Sequence, residues 1–128
     1  MKNYESCSKV AASMGEKKDC AVRAVTMATY QDYEFVWKIF NDLGRKPGCG
    51  TPWTLIWKAL DKLGRKVENV TNEYRATTVG QLGRELTKHD NILVSTSGHI
   101  LCANEGQIHD WTKGRRHRIK AIYRVLSK

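Results

Sequence analysis

The chain has 128 residues, 41% of them hydrophobic and 27% charged, which fits one globular domain able to bury a core without a disulfide framework or a metal staple. That composition excludes a disordered chain, and no apolar run reaches the ~20 residues a membrane-spanning helix needs. Lys plus Arg outnumber Asp plus Glu by 22 to 13, and the net charge of +9 sets up a field that attracts acidic proteins, nucleic acid or anionic surfaces without dictating a fold.

The opening stretch "MKNYESCSKVAASMG" lacks the apolar centre of a secretory signal, so a cytoplasmic protein is expected. Cys7, Cys20, Cys49 and Cys102 stand far apart with no CxxC pair, and are read as reduced thiols. In "KKDCAVRAVTMAT", Asp19 is a good N-cap and Cys20 opens a helix running to Tyr30, with Ala24, Met27 and Ala28 as its small buried face.

Two stretches then echo each other: "DYEFVWKIFNDLGRK" (32–46) and "PWTLIWKALDKLGRK" (52–66). Tyr33, Val36, Trp37, Phe40 and Leu43 recur at helical spacing in the first, and Trp53, Ile56, Trp57, Leu60 and Leu63 in the second. Two amphipathic helices are expected, with Gly44 and Gly64 taking the left-handed conformation at their ends. Two copies fall short of a repeat array, which needs at least three stacked units. Thr51 and Pro52 read as cap and first position of the second helix.

A short helix is expected after Thr78 through Val79, Leu82 and Leu86. Beyond it the pattern turns to strands at 65–70, 91–97, 99–104, 106–111 and 118–126, the first of them preceding that helix. Helices first and sheet second argue an α+β domain spanning 1–128, with N-terminal helices packed on one side of a mainly antiparallel sheet.

Cys20 has two readings. At a helix start its sulfur meets the positive end of the dipole, which favours a thiolate; among alanines it is equally a small packing residue. The first reading needs a base and an orienting group. "SGHILCANEGQIHDW" offers His99 at a strand start and Asp110 at the end of the next strand. A turn at 104–106 pairs positions symmetrically about Glu105 and brings Asp110 within reach of His99. In that register Ile100 and Ile108 share the core face, and Asp110 needs a bulge or a strand-end twist to meet His99.

These residues resemble the papain-like cysteine peptidases, and more closely the small bacterial branch that includes bacteriocin-leader peptidases and compact proteins of tailed bacteriophages. The resemblance rests on "DCAVRA" at a helix start, "GH" before an apolar strand and "G-x-I-x-D-W" on the next. It implies a papain-like fold with Cys20 as nucleophile, His99 as base and acid, Asp110 as orienting group and Trp111 shielding their hydrogen bond. No cofactor is implied. The family's glutamine before the cysteine, an oxyanion donor, is missing: Met14 stands at that place. The Cys20 backbone N–H remains as a donor, with Lys17 or Lys18 as substitutes and Asp19 in support. The substrate implied is an intracellular protein, acidic in view of the net charge, with Trp53 in "PGCGTPW" bordering the cleft.

Two rivals stand beside catalysis. Cysteines and histidines suffice in number for zinc, but His99 and Cys102, three apart on a strand, point to opposite faces. A non-catalytic basic module could instead dock on an acidic host protein or nucleic acid. Arg115 and Arg116 in "KGRRHR" (113–118) would contact the partner there, or form a solvated turn.

Overall fold

The computed structural model describes residues 4–16, 18–46, 49–109 and 117–127. Four ten-residue helices come first: α1 (Tyr4–Ser13), α2 (Cys20–Thr29), α3 (Tyr33–Asp42) and α4 (Trp53–Lys62). Strand β1 (Arg65–Asn69), a 3₁₀ turn (Thr71–Glu73) and the single-turn helix α5 (Val79–Leu82) lead to β2 (Asn91–Thr96), β3 (His99–Asn104), β4 (Gln107–His109) and β5 (Ala121–Ser127). The architecture is α+β, with one antiparallel sheet in the order β1-β5-β2-β3-β4. Among the described residues no helix is long and apolar enough to cross a membrane.

The echoed stretches form α3 and α4, and their apolar positions face inward. Tyr33, Val36 and Phe40 are buried on one helix, and Ile56, Ala59 and Leu60 on the other. Gly44 and Gly64 follow at φ 111 and 72, where a side chain would be strained and glycine is not. The cap of α4 differs from the expectation by one residue. Pro52 occupies the N-cap position and Trp53 is the first helical residue, while Thr51 turns its hydroxyl to accept a bond from Arg45 Nε at 3.1 Å.

The first helix, α1, went unread in the sequence, although Tyr4, Cys7, Ala11 and Met14 follow helical spacing. Cys7 and Ala11 are buried, and Tyr4 and Met14 pack against the same apolar cluster. That cluster joins α1 to α4 to one face of the sheet through Leu93, Ile100, Cys102 and Val125. A second cluster occupies the other face, where Ile92, Val94, Leu101, Ala103 and Ile122 meet Val70, Val79 and Leu82. Both faces of the sheet are therefore covered: the N-terminal helices take one side, as expected, and the segment from Val70 through α5 takes the other. Strands β2 and β3 show the consequence: five consecutive residues of each are buried, as both-face burial demands.

The β3–β4 hairpin also departs from the expected register. Ala103 pairs with Ile108 and Cys102 with His109, so the symmetry point lies between Glu105 and Gly106 rather than on Glu105. A one-residue shift exchanges the faces of a whole strand. Ile108 accordingly joins the second cluster while Ile100 stays in the first, and His109 faces α1.

Candidate active site

The turn before Cys20 is tied down on both sides by buried ion pairs. Arg23, one helical turn on, donates from Nε to Asp19 Oδ2 at 2.8 Å, and the Tyr33 hydroxyl donates to the same oxygen at 2.8 Å. Arg45 grips Glu16 with two parallel bonds of 2.9 and 3.0 Å, and Trp37 Nε1 donates to it at 2.6 Å. A carboxylate removed from water needs such partners, because a buried unpaired charge is expensive. Helix α2 thus starts at Cys20 from a fixed platform.

Across from it the two-residue turn Ser97–Gly98, with Gly98 at φ 68, delivers His99 at the head of β3, opposite Thr96. His99 lies close enough to the Cys20 thiol to act on its titration through hydrogen bonding and charge, and the backbones of Ile100 and Ala21 act on it through hydrogen bonding. Burial, the largest influence, pushes the thiol up. The influences of His99 and of the two backbones together outweigh it, and the Cys20 pKa falls below the ordinary thiol value. The start of α2 adds the positive end of a helix dipole.

The other cysteines contrast with it. All four are free thiols. Burial drives Cys7 up to about 12 and raises Cys102 as well, so both are neutral packing residues, and Cys49 is exposed in a loop. Of the described cysteines, Cys20 is the one brought to a histidine as a partly accessible, acidified thiol.

The other expected site residues have varied placements. Asp110, Trp111, Lys17, Arg115 and Arg116 lie outside the described residues. Asp19 is the N-cap residue of α2 and its carbonyl accepts the Arg23 N–H at 3.0 Å, but its side chain makes no capping bond. Its carboxylate is 2% exposed and bonded by Arg23 and Tyr33. Lys18 is exposed. Met14 packs into the apolar cluster and offers no donor. Trp53 is half-buried against Trp57 and Tyr123, with centroids 4.8 and 5.4 Å away, an aromatic seam between α4 and β5. Among the described residues no three His, Cys, Asp or Glu side chains converge as metal ligands.

A cavity of about 480 Å³ lies between α1, the end of α2 and the start of α3, lined by Cys7, Thr26, Gln31 and Phe35 among others. Neither Cys20 nor His99 borders it. Thr26 stands six positions along α2 from Cys20, a rise of about 9 Å.

A buried polar cluster at the far end of β3 was not foreseen. Asn104 donates from Nδ2 to the Met27 carbonyl at 3.1 Å and to Asn91 Oδ1 at 3.2 Å, and its Oδ1 meets His109 Nε2 at 2.8 Å. The His109 ring stacks on Tyr4 at 6.4 Å, and burial lowers its pKa. In sequence Asn104 reads as part of the turn that follows it. Compared with protein-family models, curated proteins and solved structures, the chain has no match in any of the three.

Proposed function

We propose that this protein is a cysteine hydrolase of papain-like design, acting on an amide bond in an intracellular protein. The observation that carries the reading is the pairing of Cys20 with His99, at a helix start and a strand start, with the thiol acidified while Cys7 and Cys102 are driven the other way. Acyl transfer uses that pair directly. The Cys20 thiolate attacks the amide carbonyl carbon, and the new S–C bond forms while a backbone N–H at the start of α2 holds the oxyanion. His99, as imidazolium, gives its proton to the leaving nitrogen as the C–N bond breaks. A water then loses a proton to His99 and attacks the thioester, releasing the acid and restoring the ion pair. Asp110 is assigned the orientation of the His99 ring and Trp111 its shielding, on the family resemblance. That resemblance also places the chain beside the small bacterial and bacteriophage branch.

Labelling of new α-amines in a bacterial cell extract tests the assignment. Wild-type protein is expected to generate N-termini that Cys20→Ala does not, with fewer from His99→Ala. Identical sets from wild type and Cys20→Ala would overturn the reading and leave the basic surface as the seat of function.

A further inference from the structure

The charges around Cys20 are unevenly matched. The two acids nearest to it in the chain, Glu16 and Asp19, are 5% and 2% exposed and are consumed by Arg45 and Arg23. Lys18, between them, is exposed. Across the sheet the register continues the same pattern. Ile100, next to His99 in β3, pairs with Ser95, and the Ser95 carbonyl accepts the Lys120 N–H at 2.7 Å. Lys120 is therefore two strand spacings, about 10 Å, from Ile100. Ile119 packs into the second cluster, and its neighbours Arg118 and Lys120 are both exposed. His117, also exposed, sets its ring edge-on to His99 at 6.0 Å. Among the described residues no ion pair engages Lys18, Arg118 or Lys120.

We infer that Lys18, Arg118 and Lys120 form a cationic rim on the Cys20–His99 site that selects an acidic polypeptide segment. The inference rests on the hydrolase reading for the kind of polymer. A thiolate acting by acyl transfer needs a carbonyl carbon, which a polypeptide supplies at every residue and a phosphodiester backbone does not. Acidic side chains flanking the reacting amide then meet uncompensated cations inside a Debye length of about 10 Å, which raises the local concentration of such segments at the thiol.

The test compares alkylation of Cys20 by anionic iodoacetate and neutral iodoacetamide, read by mass spectrometry, with exposed Cys49 of the same molecule as reference. Relative to Cys49, Cys20 is expected to favour iodoacetate by about threefold to tenfold at low salt. The preference should shrink in Lys18→Glu/Arg118→Glu/Lys120→Glu and on raising salt to ~0.3 M. Poly-L-glutamate should protect Cys20 and poly-L-lysine should not. No preference for the anion, or one unchanged in the charge-reversed variant, overturns the rim. Stronger protection by poly(U) than by poly-L-glutamate overturns the polypeptide in favour of nucleic acid. The hydrolase reading fails separately, when His99→Ala leaves the iodoacetamide rate of Cys20 unaltered.

Discussion

His99 draws the Cys20 thiol pKa down, although one residue heads a strand and the other a helix far away in the chain. Because this favours the thiolate, Cys20 should react with iodoacetamide at a pH midpoint below the ordinary thiol value. His99→Ala removes that influence but leaves the burial, so the midpoint should move up. Below it the rate should drop about tenfold for each pH unit of that movement. A profile of modification against pH, resolved by cysteine, checks both directions.

The Glu16–Arg45 pair is almost wholly withdrawn from water, with side chains 1% and 0% exposed. Breaking it from one side, by Glu16→Gln or Arg45→Met, is expected to cost about 3–5 kcal/mol, because a buried charge is left unmatched. The double variant should cost less than the sum of the two. Urea unfolding of the four proteins closes the cycle, and additive losses would show that the pair is not coupled.

Asn104 binds the Met27 carbonyl, Asn91 and His109 at once. Asn104→Ala leaves buried groups on α2, β2 and β4 without their partner, and a loss of about 1–3 kcal/mol is expected. Denaturant midpoints measure it. The Cys20 alkylation profile should stay in place, since the cluster sits at the opposite end of β3.

Burial raises the Cys7 pKa from the ordinary 9.0 to about 12, which fixes the sign of an alkaline effect. The unfolded chain releases that proton first, so the stability is full below 9.0 and is lost as pH rises toward about 12. Unfolding followed between about pH 8 and about pH 11 should show the decline in wild type and a flatter curve in Cys7→Ala.

What could be read beforehand was local. The spacing of Val36 and Phe40, of Ile56 and Leu60, and the left-handed Gly44 and Gly64 follow from patterns within one helix. That Cys20 opens a helix and His99 a strand was also legible; that the two approach each other in space was not, since the length of chain between them is compatible with either outcome. What escaped depends on distant or fine geometry. Glu16 and Arg45 are charged residues in loops, indistinguishable in sequence from solvated ones until the fold buries them together. Asn104 carries the signature of the turn beside it. The side taken by Ile108 hinged on a shift of one residue, which composition does not encode. Trp37 and Trp53 read alike as apolar stripe positions, yet one donates to a carboxylate and the other stacks on Trp57 and Tyr123.

The sheet order bears on how the molecule is made. Strand β5, the last to be synthesised, lies in the middle of the sheet between β1 and β2. While residues 121–127 are still inside the ribosome, β1 and the β2–β3 hairpin are separate halves with a gap between them, and the apolar faces on both sides lack Ile122 and Val125. Assembly must therefore wait for long-range strand insertion, which is slow relative to helix and hairpin formation. A ribosome-bound chain that stops short of β5 already has the partners that seat α2 on β3, namely Leu93, Ile100 and Cys102, so the cysteine and histidine can be brought together while β1 still waits for its place in the sheet.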